Sequence, residues 1–105
     1  MQEPLKILLA DDHRVLRTGL KLLLSSQGDF QVVAEASNGR EVLGQLEKTK
    51  VDIVLLDLSM PVMGGLECLR EIRAQKYPVK VLILTMYSEQ QYIKEVMLQG
   101  ANGYL

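Results

Sequence analysis

Short apolar runs alternate with stretches of helical periodicity along the whole chain. Between the apolar runs, hydrophobic residues recur every three or four positions, which predicts amphipathic helices. The runs themselves have the length of buried strands, and Phe30–Ala36 is also rich in β-branched residues. They are Leu5–Ala10, Phe30–Ala36, Val51–Leu56, Val79–Leu84 and Ala101–Leu105. The alternation predicts an α/β protein with one parallel five-stranded sheet and helices on both faces, a doubly wound fold.

Polar residues mark where the predicted helices begin. Asp12 is the expected N-cap of the first helix, His13–Ser26, and Ser88 is that of the fourth, which ends at Gly100. Apolar residues lie at helical spacing in each of the four predicted helices. They are Leu16, Leu20 and Leu23 in the first; Val42 and Leu46 in the second; Leu66, Leu69 and Ile72 in the third; and Ile93, Val96 and Met97 in the fourth. The three residues of the fourth helix are expected to face the sheet.

Composition excludes several kinds of site and partner but does not identify the function. The chain has 105 residues, enough for one domain, and a net charge of −1, so no basic field recruits nucleic acid to it. Cys68 is the only cysteine, which excludes an internal disulfide or a cysteine-based metal site. No apolar run approaches the length of a membrane span, so we expect no membrane partner.

Aspartates follow two of the predicted strands. Asp11 and Asp12 come directly after the first strand, and Asp57 comes directly after the third. In a flavodoxin-like sheet these strands are neighbours at the topological switch point, where ligands bind at the carboxyl ends. Each aspartate alone could be a helix cap or a turn residue. Three together would crowd like charges, which favours a site for a hard cation.

Two other residues near this edge have less certain roles. Thr85 follows the fourth strand and would add a hydroxyl to the cleft, although it could also cap the next turn. His13 is the only histidine. It has no second His or Cys partner for a zinc site, so we interpret it as a solvated residue in the first turn of a helix.

In this arrangement the chain resembles the receiver domain of bacterial response regulators over essentially all of its length. The motifs are the acidic pair Asp11-Asp12, then Asp57 with Leu58-Ser59-Met60-Pro61 and Gly64-Gly65, and finally Thr85. Asp11-Asp12-His13 with Arg17 and Gly19, and the ending Gly100-Ala101-Asn102-Gly103-Tyr104-Leu105, look most like the FixJ/NarL-type subclass. The resemblance implies the flavodoxin-like strand order 2-1-3-4-5.

The resemblance also implies a role for each matching residue. Asp57 would be the phosphoacceptor, taking a phosphoryl group from a phosphohistidine of a sensor kinase. Asp12, a carboxylate oxygen of Asp57 and the backbone carbonyl of Ser59 would bind Mg²⁺ directly, and Asp11 would bind it through water. Mg²⁺ prefers such oxygen ligands and would offset the charge of the incoming phosphoryl group.

Two residues would form the switch implied by the resemblance. Thr85 would hydrogen-bond the phosphoryl group, and Tyr104 would swing inward when Thr85 moves. As an aromatic residue on an edge strand, Tyr104 is also compatible with simple packing. Other implied properties are a helix-turn-helix DNA-binding domain after the receiver, a cytoplasmic location and a possible homodimer.

One feature departs from the family pattern. The family has a Lys shortly after the fifth strand and a last helix after it, and neither is present in residues 1–105. We therefore expect the chain to be a receiver domain cut before its last helix, from a protein with a C-terminal DNA-binding domain. A degenerate receiver, acting as a phosphate-independent interaction module, is the alternative.

Two enzymatic or redox functions on related folds fit less well. A flavin-binding electron carrier needs a phosphate-cradling loop after the first strand, where Asp11-Asp12 would repel a phosphate. The chain also has only 5% aromatic residues and no Trp to stack on a flavin. A phosphohydrolase of the haloacid-dehalogenase type would need an aspartate at the position of Ser59. We expect no enzyme beyond catalysis of its own phosphotransfer and dephosphorylation.

Overall fold

The computed structural model describes residues 3–84 and 91–105. Thr85, with its predicted phosphoryl contact and switch role, and Ser88, the predicted cap, lie outside the described residues. None of the helices within the described ranges is long and apolar enough to cross a membrane.

All the strands of the described chain belong to one parallel sheet, in the order β2-β1-β3-β4-β5. The strands are β1 (Leu5–Ala10), β2 (Phe30–Ala36), β3 (Ile53–Asp57), β4 (Lys80–Leu84) and β5 (Gly103–Tyr104). The predicted flavodoxin-like order is confirmed. Asp57 is the last residue of β3 rather than the first residue after it, because its backbone still pairs with Leu84 of β4.

Four helices connect the strands: α1 (Arg14–Ser25), α2 (Gly39–Lys48), α3 (Gly65–Ala74) and α4 (Ile93–Leu98). The predicted cap of α1 is wrong. The N-cap is His13, which has extended backbone angles, and its backbone N–H donates to the carboxylate of Asp11. This bond turns the chain after Asp11, so the helix begins one residue later and Asp12 stays outside it.

The sheet is buried between two apolar layers. The larger layer packs α2, α3 and α4 on one face, with Val42, Cys68, Leu69 and Val96 fully buried. The smaller layer, on the other face, is made by Ile7, Leu9 and Leu55 with Leu20 and Leu24 of α1 packed against them. The predicted helices on both faces are confirmed. The central strands β1 and β3 are covered on both sides, which explains their nearly continuous apolar sequence.

Several apolar positions of the predicted helices lie at the surface. Leu16 and Leu23 of α1 are 45% and 60% exposed, because α1 contacts the smaller layer through Leu20 and Leu24 instead. Met97 of α4 is 40% exposed, so its expected contact with the sheet is wrong, whereas Val96 is fully buried. In the short helix α4, successive side chains point about 100° apart around the axis, and the buried side of the helix is centred on Val96.

A guanidinium group joins the end of α3 to the segments that lead into β4 and β5. Arg73 donates to the carbonyl oxygens of Tyr77, Val79 and Gly100, and to Oδ1 of Asn102, over distances of 2.9–3.1 Å. The same Asn102 oxygen accepts the backbone N–H of Val81 at 2.9 Å. These bonds satisfy loop carbonyls and hold the approach to the short edge strand β5.

Gly65 brings the start of α3 against the end of β3. Its backbone N–H donates to the carbonyl of Leu58 at 3.0 Å. A Cβ at this position would collide with the backbone of Asp57 and lie 2.8 Å from Cα of Leu58. Backbone atoms cannot move aside as a flexible side chain can, so only glycine allows this approach.

We predict opposite effects of alanine at two helical glycines. Gly65→Ala should lower the free energy of unfolding by about 1–3 kcal/mol or more, because the new methyl group overpacks the strand end. Gly44→Ala should raise it by about 0.5–1 kcal/mol, since alanine favours the helix and nothing lies within 4 Å of that Cβ. Urea unfolding of both variants measures the difference. If Gly65→Ala has the same urea midpoint of unfolding as the wild type, the end of β3 can move to accommodate the methyl group.

Candidate metal and phosphoryl site

The parallel pairing of β1 with β3 brings two buried aspartates together. Ala10 pairs with Leu56, and the next residue along each strand is an aspartate, Asp11 or Asp57. Asp11 is 1% exposed and Asp57 is 4% exposed. Both lie at the carboxyl edge of the sheet, beside the switch point between β1 and β3, where open α/β sheets bind ligands.

Asp11 is held by its backbone and by its neighbour. Its N–H donates to the carbonyl of Ala36 at 3.0 Å, which extends the pairing of β1 with β2 by one residue. Its Oδ1 accepts two hydrogen bonds of 2.8 Å from His13, one from the backbone N–H and one involving ring Nδ1. The carboxylate therefore has a defined position although it lies at the start of a loop.

Asp57 presents its two oxygens to different groups. Oδ1 accepts the backbone N–H of Ser59 at 3.2 Å, a local bond that turns the chain after β3. Oδ2 lies 3.9 Å from Nδ1 of His13, on the side of the acidic pair. One oxygen is thus tied to the following loop, and the other faces the cluster.

Four side chains form one cluster at this edge, which we call the acidic cluster: Asp11, Asp12, His13 and Asp57. One ligand atom from each lies within 4.8 Å of the others. Asp12 and His13 are partly exposed, with 32% and 60% of their side chains accessible, whereas the other two are buried. Carboxylate oxygens gathered this closely suit a small divalent cation.

His13 is the member that sequence reasoning missed. Its Nδ1 lies 2.8 Å from an oxygen of Asp11 and 3.3 Å from one of Asp12. The hydrogen bond with Asp11, followed by the charges of Asp12 and Asp11, raises the pKa of the imidazole above its ordinary value. Its interpretation as a solvated residue is correct for the ring as a whole, but His13 is the N-cap of α1 rather than a residue of its first turn, and Nδ1 belongs to the cluster. The signal was its position directly after two acidic residues.

Arg17 supports the loop that carries the cluster. Its Nη1 donates to the backbone carbonyl of Asp11 at 2.6 Å, and its Nε donates to Oε1 of Glu35 on β2 at 3.0 Å. Lys21 also contacts Glu35, at 3.1 Å. Partial burial would raise the pKa of Glu35, but Lys21 and Arg17 together lower it. The guanidinium group thus fixes the main chain and leaves the carboxylates of the cluster to other partners.

The remaining predicted residues are less closely associated with the cluster. The backbone of Ser59 touches Asp57, as described above. Tyr104 lies on the edge strand β5, where it pairs with Ile83 and is 52% exposed. Thr85, outside the described residues, directly follows Leu84, the last residue of β4.

An open groove gives access to the cluster. It has a volume of about 690 Å³, and Asp11, His13 and Asp57 form one end, while α1, Leu84 and Leu105 supply mostly apolar walls. Another groove, of about 550 Å³, lies at the opposite end of the sheet around Asp52 and Lys80 and contains no member of the cluster. Of these two grooves, only the one at the carboxyl edge contains residues of the acidic cluster.

Comparisons with known proteins agree with this arrangement. The response regulator receiver domain family matches residues 7–105. The nitrate/nitrite response regulator protein NarL of Escherichia coli K12 is 41% identical over 104 residues, which cover 99% of this chain and 48% of that protein. The chain spans about half the length of the curated relatives it matches.

Solved structures match the fold closely. The signal receiver domain of the putative response regulator NarL from Mycobacterium tuberculosis superposes with a TM-score of 0.92 and 32% identity, over 99% of this chain and 84% of that one. A chain of the CheX-CheY-BeF3-Mg²⁺ complex from Borrelia burgdorferi gives a TM-score of 0.84 and 25% identity, over 97% of this chain and 77% of that one. The chain belongs to the response regulator receiver domain family, in the NarL-type branch found in two-component systems.

Proposed function

We propose that this receiver domain is a phosphorylation-activated switch, with Asp57 as the phosphoacceptor and Mg²⁺ as its cofactor. The observation that carries the proposal is the convergence of the acidic cluster at the carboxyl ends of β1 and β3. Two of its carboxylates are almost completely buried, so their mutual repulsion is poorly screened by solvent. A divalent cation would relieve that repulsion. The transfer of a phosphoryl group to the cluster would require such a cation.

The donor set fits Mg²⁺. Asp12, a carboxylate oxygen of Asp57 and the backbone carbonyl of Ser59 would bind the ion directly, and Asp11 would bind it through water. Mg²⁺ is commonly held by one or two carboxylates and keeps several waters, which leaves positions for phosphoryl oxygens. When bound, it supplies electrostatic stabilisation of the charge that develops on the transferring phosphoryl group.

Asp57 has the position that a nucleophile needs. Its Oδ1 is held by the backbone N–H of Ser59, and Oδ2 faces the cluster. In the proposed reaction a carboxylate oxygen attacks the phosphorus of a phosphohistidine on a sensor kinase. The P–O bond of an acyl phosphate forms, the P–N bond breaks, and the electron pair leaves with the imidazole of the kinase. Positioning and charge compensation are the main requirements of such a transfer.

Thr85 and Tyr104 complete the proposed switch. The hydroxyl of Thr85 would donate a hydrogen bond to a phosphoryl oxygen on Asp57. Tyr104 would then turn from its exposed position on β5 towards the space near the end of β4. This change at the outer edge of the sheet would alter a surface that other domains can contact.

The proposed partners follow from this role. A sensor histidine kinase would donate the phosphoryl group, and DNA would be bound only through an output domain that follows the receiver. A homodimer is a further possibility for the phosphorylated protein. We expect the protein to work in the cytoplasm, where the donor and the DNA target of such a switch are found.

We predict that Mg²⁺ binds at the acidic cluster. Titration of the ¹⁵N-labelled protein with Mg²⁺ should shift the amide signals of Asp11, Asp12, Asp57 and Ser59 first, and Asp12→Asn should weaken binding because one direct ligand loses its charge. Asp29→Asn is the matched control, since Asp29 is an exposed aspartate at the opposite end of the sheet. Shifts confined to residues far from the cluster would contradict the assignment.

We also predict a single phosphorylation, at Asp57. Incubation with acetyl phosphate and Mg²⁺, followed by intact-mass measurement, should add one phosphoryl group to the wild type and to Asp29→Asn. Asp57→Asn should gain none, because its amide is not a nucleophile for phosphorus. Equal labelling of Asp57→Asn would mean that another residue is the acceptor. A wild type that is never labelled would favour the phosphate-independent interaction module.

A further inference from the structure

The imidazole of His13 lies where it could reach a bound metal ion. Its Nδ1 is 2.8 Å from Oδ1 of Asp11, 3.3 Å from Oδ1 of Asp12 and 3.9 Å from Oδ2 of Asp57. No other nitrogen among the described residues joins this group of potential ligands. Only the shortest of these distances is that of an ordinary hydrogen bond.

The distances from Nδ1 to Asp12 and Asp57, the two proposed direct carboxylate ligands, also suit ligands that share one ion. With bonds of about 2.1 Å, neighbouring ligands of an octahedral ion lie about 3.0 Å apart and opposite ligands about 4.2 Å apart. In a tetrahedral zinc site the ligands are about 3.4 Å apart. Nδ1 therefore needs little movement to share a cation with the carboxylates.

We propose that His13 is a specificity-determining residue of the metal site: its Nδ1 ligates imidazole-binding divalent ions such as Zn²⁺ and raises their affinity relative to that of Mg²⁺. The proposal rests on the metal site proposed above and extends it to the choice of ion. Imidazole nitrogen suits Zn²⁺, whereas Mg²⁺ selects oxygen ligands and water. The same side chain should therefore affect the two ions unequally.

The main alternative is that His13 only positions Asp11. The local geometry separates the two roles, because the backbone N–H of His13 donates to the same oxygen of Asp11 at 2.8 Å. Removing the imidazole leaves that backbone bond in place, and Arg17 still holds the carbonyl of Asp11. Asp11 should therefore stay anchored in His13→Ala. A positioning role would weaken Mg²⁺ and Zn²⁺ alike.

The chain offers few competing sites for a softer ion. His13 is its only histidine and Cys68 its only cysteine. Cys68 is fully buried against the carbonyl of Gly39, and burial raises the pKa of its thiol to about 12. A protein prepared without a polyhistidine tag thus allows Zn²⁺ binding to be assigned to the acidic cluster.

The first test compares the two ions directly. Isothermal titration calorimetry of the wild type, His13→Ala and His13→Gln with Mg²⁺ and with Zn²⁺ measures each affinity. We expect both substitutions to lower Zn²⁺ affinity about tenfold or more, in the range known for altered metal sites, and to change Mg²⁺ affinity less than about twofold. Asp12→Asn should lower both affinities. An equal loss for both ions, or an unchanged Zn²⁺ affinity, would overturn the proposal.

The second test identifies the ligand atom. Labelling with ¹⁵N-histidine gives one imidazole with two nitrogen signals, because the chain contains a single histidine. Zn²⁺ should shift the Nδ1 signal strongly, and Mg²⁺ should not. Coordination through Nε2 would overturn the proposal. If the wild type binds Zn²⁺ through Nδ1 but does not bind Mg²⁺, the inference stands and the proposed cofactor is wrong; if it binds neither ion, both fail.

Discussion

The parallel pairing of β1 with β3 is the constraint on which the site depends. Because Ala10 and Leu56 are partners, the residues that follow them must lie side by side, and both are aspartates. The two strands are covered on both faces, so the register of β1 against β3 cannot shift without displacing the whole core. Apolar packing of the two strands therefore offsets the unfavourable free energy of holding two carboxylates together. The loops that carry the rest of the site do not provide this stabilisation.

The groups around the acidic cluster hold its main chain and orient its carboxylates. Arg17 donates to the backbone carbonyl of Asp11 and to Glu35 rather than to the carboxylates of the acidic cluster. Among the groups that contact the carboxylates are one imidazole and two backbone N–H groups. Neutral donors such as the backbone N–H groups orient carboxylates without cancelling their charge. The arrangement thus combines a defined geometry with closely spaced carboxylates, which suits a small divalent cation.

Much of this could be predicted from the sequence, and the errors have physical causes. β1 and β2 have their predicted bounds because breakers flank both apolar runs, and the order of the sheet is as expected for the fold. Single helix positions were less predictable: Leu16 and Met97 are exposed, because periodicity gives the amphipathic face only to within a residue. The contact of His13 with three carboxylates could not be derived, since it depends on a loop turn that the Asp11 bond sets. The roles implied for Thr85 and Tyr104 stay predictions.

The division between strand and loop residues suggests how one fold can keep its chemistry while its metal preference varies. Asp11 continues the β1–β2 pairing and Asp57 ends β3, so the sheet sets the positions of both. Asp12 and His13 lie between β1 and α1, are partly exposed, and have side chains that the core does not pack. Substitution there changes the ligand set without disturbing the buried carboxylates. The proposed acceptor position is therefore coupled to the stability of the domain, whereas the proposed choice of ion depends on two residues that the fold leaves largely unconstrained.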